Sequence, residues 1–317
     1  MTPSACPPRR IVEPVDNRSD VRDFLTTRRA RITPAQAGLQ TYGGNERRVP
    51  GLRRTEVAQL ANMSVEYYTR LERGNLNGVS EAVLESVAGA LQLDEAERTH
   101  LFDLARAANA TPTRASRQRT QTSVKPNVYR ILDAMTGALA YIRNPRMDIL
   151  AANALCFALY TDILTPQTLP LNLARFLFLD PRATDFFVDW SAVADDAVAV
   201  LRAEAGRNPL DRTLSDLVGE LATRNDEFRT RWARHNVRLH RTAVKVLRNP
   251  IVGELQLTGS ALELPGEGQT LIVYTADPGS TAQQQLDFLT SWSTSHRVAF
   301  PTDGHGELRI TSEGTAS

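Results

Sequence analysis

Residues 54–73, RTEVAQLANMSVEYYTRLER, constrain the fold of this chain more than any other stretch. Two short helices that cross tightly need a small residue at the crossing and a turn residue that tolerates positive φ. They also need apolar residues that fix the second helix on the first. Ala58 is the small residue, and Asn62 supplies the turn, since Asn is the next best choice after Gly for the left-handed conformation. Val57, Ala61, Met63, Tyr68 and Leu71 fall on inward positions, and Ser64 caps the second helix. The pattern is that of a helix-turn-helix.

The same template assigns an outward face. Ser64, Val65, Glu66, Thr69 and Arg70 point from the second helix toward a major groove, where Arg70 suits guanine and Glu66 suits cytosine N4. Arg53 and Arg54, at the start of the preceding helix, suit phosphates, and Arg73 extends the basic face. Arg47 and Arg48, in the loop before it, add backbone or minor-groove contacts. Which of these residues reads a base stays open, because docking angles differ among such domains. The plain alternative is a structural helical hairpin with Tyr67 and Tyr68 as core.

Charge favours the nucleic-acid reading. The net charge of +1 hides a division: residues 1–123 hold eighteen Arg, no Lys and fourteen acids, whereas the remainder is net −3. Residues 18–54 alone carry nine Arg against three acids, which suits a polyanion. Heavy Arg use also follows from the base composition of a genome.

Helical spacing predicts five short helices between residues 18 and 110: about 20–31, 53–61, 64–73, 80–91 and 94–107. Asp94-Glu95-Ala96-Glu97 forms the capping box of the last. Residues 1–17 read as a disordered tail and 111–123, TPTRASRQRTQTS, as a linker. Beyond it a helix near 127–135 and strand-like runs at 138–142 and 147–151 precede a helical stretch to about 235. Runs at 237–247, 252–264 and 270–275 then close a domain over 124–282. The remainder, 283–317, reads as a tail with a helix-compatible segment to Trp292. The fold class is α+β: an all-α helix-turn-helix domain, then an α+β domain with a small antiparallel sheet, PAS-like in outline.

No apolar run approaches the length of a membrane span, and MTPSACPPRR lacks a secretory core, so a cytoplasmic place is expected. Cys6 and Cys156 lie far apart and offer no paired metal ligands, so no metal is expected. No nucleophile elbow or phosphate-binding glycine loop is present, and catalysis is not expected.

The run VPGLRRTEVAQLANMSVEYYTRLERGN at 49–75 resembles regulators of the xenobiotic-response-element, phage-repressor-like family, more specifically its MmyB-like branch. MDILAANAL at 147–155, NLARFLFLDPRATDFFVDW at 172–190 and LRAEAGRNPLD at 201–211 extend the resemblance. So do LVGEL at 217–221, EFRTRWARHNVRLHRTAVK at 227–245 and the run VGEL…LELP…LIVYTADPGS at 252–280. It spans roughly residues 20–282. Asn62 stands where Gly is usual, Thr55 where an acid is usual, and Leu247 where an aromatic is common. The resemblance implies a DNA-binding domain joined to a PAS-like ligand-binding domain for a lipophilic, fatty-acid-like effector.

Aromatic residues gather in the second domain: Phe157, Tyr160, Phe176, Phe178, Phe186, Phe187, Trp190 and Trp232. His235, near Trp232, adds a hydrogen-bonding group, and Arg231, Arg234 and Arg238 are available to meet a carboxylate. Residue spacing alone favours a filled core, while the resemblance favours a pocket lined by these aromatics and His235. The expected function is sequence-specific binding of double-stranded DNA by a homodimer, modulated by the effector. The alternative is a second domain that only dimerises or binds a protein partner.

Overall fold

The computed structural model describes residues 17–39, 49, 51–109, 123–161, 163–236, 242–266 and 268–295. The expected N-terminal tail up to residue 16, the loop with Arg47 and Arg48, nearly all of the linker and residues 237–241 lie outside them.

The first domain is five helices: α1 (Asn17–Arg31), α2 (Arg54–Leu60), α3 (Val65–Glu72), α4 (Glu81–Ala90) and α5 (Glu95–Asn109). Helical spacing explains their assembly. On α1, Val21, Phe24, Leu25 and Arg28 form one buried stripe. The three apolar members share a core with Val57, Tyr68, Leu71, Leu84, Leu101 and Leu104.

In the second domain α6 (Pro126–Ala134), β1 (Leu139–Arg143), β2 (Asp148–Ala152) and α7 (Ala154–Tyr160) come first. β3 (Leu171–Asn172), α8 (Leu173–Leu179), α9 (Arg182–Phe186), α10 (Trp190–Arg207), α11 (Arg212–Arg224) and α12 (Asp226–Ala233) follow. β4 (Thr242–Asn249), β5 (Gly253–Leu264), β6 (Gln269–Thr275) and α13 (Thr281–Ser295) complete it. The strands form one sheet in the order β3-β2-β1-β6-β5-β4, with every pairing antiparallel.

Period-2 alternation divides the sheet between two cores. Ala140 and Ile142 of β1 join Leu150 and Leu271 against Val128 and Leu132 of α6. Leu139 and Tyr141 face the other way, toward α7 to α12, with Leu255, Leu257, Ile272 and Tyr274. Gly259 on β5 is needed here: a Cβ at that position would lie 2.5 Å from the Tyr274 ring.

Two features differ from the sequence reading. β3 is only two residues long, too short for alternation to register. The segment after 282, read as a tail, begins inside α13, which packs on α7 and β5 with Leu286 and Leu289 fully buried. Its Gln-, Thr- and Ser-rich composition hides an apolar stripe of Ala282, Leu286 and Leu289. The two domains also touch directly, α5 lying along α10.

Candidate DNA-binding face and effector cavity

The helix-turn-helix is built locally. Asn62 has φ 52°, in the left-handed region, and the Met63 amide donates to the Ala58 carbonyl at 2.9 Å across the turn. Ala58 is buried where α2 meets α3, so a larger side chain there would push the helices apart. The Ser64 hydroxyl accepts from the Tyr67 amide at 3.1 Å, capping α3. Tyr68 and Leu71 are buried beneath the helix.

Of the outward residues, Arg53, Arg54, Ser64, Glu66, Arg70 and Arg73 are exposed, while Val65 and Thr69 are half-buried. The Arg70 guanidinium lies 5.1 Å over the Tyr67 ring, which holds it along α3. Arg54 has a second partner that the sequence did not suggest. Its Nε bonds the carboxylate of Glu72, which also accepts from Arg29 Nε at 2.6 Å. Glu72 is buried, and the bonds tie α1 and α2 to the end of α3. Arg29 further donates to the Leu52 carbonyl at 2.8 Å. Such a shared carboxylate fixes the orientation of the hairpin relative to the domain.

The second site is a small cavity of about 50 Å³ that opens to solvent between the sheet and the helices. Its apolar wall includes Leu173 and Leu177 of α8, Val193, Ala197 and Val200 of α10, and Phe187. Tyr141, Tyr160 and Tyr274 line it too, with burial raising the Tyr141 and Tyr160 hydroxyls above their ordinary range. Asp196 and Lys245, 3.7 Å apart, add a partly exposed ion pair.

Arg143 is the exceptional member. It shares the face of Tyr141 two residues earlier on β1 and is only 8% exposed. Burial pulls its guanidinium below the ordinary value, with Tyr141, Tyr274 and Glu204 acting in the opposite direction. Among the described residues no carboxylate forms an ion pair with it, and its one hydrogen bond goes to the Asn144 carbonyl at 3.4 Å. A guanidinium stays charged in a protein, so the cavity holds a desolvated cation with Glu204 nearby but no carboxylate in direct ion-pair contact among the described residues.

The sequence candidates for this site are distributed over three places. Tyr160 and Phe187 line the cavity. Phe157 is buried in the same core, and Phe176 and Phe186 pack beside the cavity wall, each in ring contact with Phe187. Trp190 packs edge-on to Phe178 and donates to the Leu177 carbonyl at 2.9 Å. Trp232 stacks on Phe228, and Arg202 covers it at 3.9 Å. His235 lies beside Arg202 at the contact between the domains, not at the cavity. Of the arginines expected at a carboxylate, Arg231 is held by Asp195 and Glu227, and Arg238 is outside the described residues. The sequence signal for Arg143 was a charge closing the apolar run LAYIR, and the structure buries that run along its whole length.

Together these features define a class: a helix-turn-helix DNA-binding protein with a second domain that holds a small, largely apolar cavity. Comparison with known families agrees at both ends. Residues 20–101 match a helix-turn-helix domain, and residues 124–289 match the MmyB-like transcription regulator ligand binding domain. The chain belongs to the MmyB-like transcription regulators, and it is a DNA-binding transcription regulator with a small-molecule binding domain. No curated protein matches it. Among the described residues no helix is long and apolar enough to cross a membrane.

Proposed function

We propose that this regulator acts as a homodimer on paired DNA half-sites, and that a lipophilic, fatty-acid-like carboxylate in the cavity sets its affinity for them. One observation carries the choice of effector: Arg143 is a buried cation without a carboxylate partner in a largely apolar cavity. A carboxylate would offset that charge, and an alkyl chain that widens the cavity by moving its helices would cover Leu173, Leu177, Val193 and Val200. A second domain serving only dimerisation or a protein partner gives no reason to keep an arginine without a direct carboxylate partner beside a cavity.

On the DNA side, Glu66, Thr69 and Arg70 are the base-reading residues, with Ser64 and Val65 at the entry to the groove. Arg53, Arg54 and Arg73 hold phosphates, and Arg47 and Arg48 reach the flanking backbone. Paired motifs in a dimer would meet half-sites about 34 Å apart.

Titration of the full chain with laurate and with lauryl alcohol tests the effector reading. Laurate is expected to bind at least about ten-fold more tightly, a difference of ~1.4 kcal/mol. Equal affinity for acid and alcohol would remove Arg143 from the site. For the DNA face, Arg70→Ala is expected to cost about 1–3 kcal/mol of discrimination between the selected operator and a mismatched one. Equal weakening on all sequences would make Arg70 a phosphate contact.

A further inference from the structure

α10 belongs to both halves of the molecule. Its eighteen residues make a rod about 27 Å long. Val193, Asp196, Ala197 and Val200, at steps of three and four, line the cavity in one stripe. Arg202 and Gly206 lie roughly 150° around the helix from that stripe, at about 100° per residue. They face the first domain.

Contact there is close. A Cβ on Gly206 would lie 2.6 Å from Cε1 and 2.9 Å from Nδ1 of His100 on α5. The His100 ring is buried and packs edge-on to Phe24 of α1, with centroids 5.0 Å apart. One turn away the Arg202 guanidinium covers the Trp232 ring, donates to the Trp232 carbonyl at 2.5 Å and meets His235 Nδ1 at 2.9 Å. Asp20 of α1 is 3.8 Å from it. Arg28, also on α1, donates to the His235 carbonyl at 2.5 Å. Arg207 reaches Asp103 of α5 at 3.2 Å. From α1 the path continues to the recognition helix α3 through Arg29 and Glu72, 2.6 Å apart.

A packed helix moves as a unit, because close contacts on both sides transmit a displacement that a loose interface would absorb. We propose that α10 is a lever that couples the cavity to the DNA-binding face. An effector pressed against Val193, Ala197 and Val200 displaces the rod, and the seat at Arg202 and Gly206 carries α1, α5 and α3 with it. This inference rests on the proposed reading that the cavity takes a lipophilic carboxylate. Two arrangements with different effector affinity are required, and linkage then makes the effect reciprocal.

The test uses the full chain, laurate and an operator selected from random DNA, with laurate binding and operator binding each titrated alone and in the presence of the other. In the wild-type chain laurate changes the operator Kd by about 5- to 150-fold, and operator changes the laurate Kd by the same factor. Gly206→Ala, which forces the seat open without touching cavity or DNA face, retains both separate affinities and loses the mutual factor. Arg207→Gln, at a half-exposed position, shrinks the factor at least two-fold (about 0.4 kcal/mol) and covers the case in which Gly206→Ala does not fold. Laurate binding to the wild-type chain without any change in operator affinity overturns the lever, as does an undiminished factor in the folded variants. Failure of laurate to bind the wild-type chain overturns the effector reading itself and the lever with it.

Discussion

The cavity and the seat between the domains are each built around a buried arginine, and the company of the two is opposite. Arg202 is 3% exposed and enclosed by an indole face, a carbonyl, an imidazole nitrogen and the Asp20 carboxylate. Arg28, beside it, pairs with Glu97 at 2.8 Å. Burial still pulls both guanidinium groups down to about 10. Arg143 is nearly as buried but has one long bond to a carbonyl and an open space before it. A desolvated charge is costly wherever it sits, so its partners indicate what it is for. At the seat the protein supplies most of them, although the Arg202 Nε has no hydrogen bond among the described residues, and the charge links the two domains. In the cavity, on the proposed reading, a ligand carboxylate supplies the direct one.

The largest effect that would break this contrast is at the seat. Arg202→Ala removes the hydrogen-bond partner of His235 and the cation beside Asp20, and empties the space above Trp232. It is expected to lower unfolding free energy by about 3–5 kcal/mol in denaturant titration. A loss no larger than that of a surface substitution would make the seat incidental. Arg143→Met is expected to act with opposite sign on the ligand-free protein, leaving stability unchanged or raising it by about 1–3 kcal/mol while laurate binding falls at least ten-fold. If Arg143→Met destabilised as Arg202→Ala does, the two arginines would be equivalent and the contrast void.

Acid sharpens the comparison, because the seat carries two histidines. Burial holds His100 at about 3 and His235 at about 4, against an ordinary 6.5. Both are neutral in the fold, while the unfolded chain takes up protons as pH falls through 6.5. Their stabilisation is therefore complete above pH 6.5 and drains away between there and about pH 4 for His235 and about pH 3 for His100. At pH 5 the loss is at most ~2 kcal/mol for each histidine. Thermal unfolding at pH 7.5 and 5.0 reads this as a lower Tm in acid, and a higher one would contradict it.

Arg54 stands between the two types, half-exposed with Glu72 on one side. Arg54→Ala leaves Arg29 on that carboxylate, so stability falls by less than about 1.5 kcal/mol. The salt dependence of operator affinity should lose about one unit of slope. An unchanged slope would confine Arg54 to the Glu72 network.

The helix-turn-helix was legible because its requirements are local. Ala58, Asn62 and Ser64 lie within seven positions of one another, and each meets a demand of backbone geometry that its chemistry announces. The cavity draws Arg143 from β1, Asp196 from α10, Lys245 from β4 and Tyr274 from β6. Only the sheet order brings them together. Periodicity groups residues on one face of an element but does not say which element covers that face. Trp232 and His235 illustrate this: their spacing marks a place where a cavity wall would fit, and tertiary packing sets them under Arg202 at the seat. Glu72 escaped notice for the same reason, because its partners Arg29 and Arg54 come from two other helices.

Fluorescence anisotropy of a labelled operator with the full chain, at fixed salt and with laurate present or absent, shows whether the cavity and the DNA-binding face are coupled. A laurate-dependent change in Kd of at least about five-fold is expected in the wild-type chain and none in Arg143→Met. Identical Kd values under conditions where laurate is demonstrably bound would contradict that coupling.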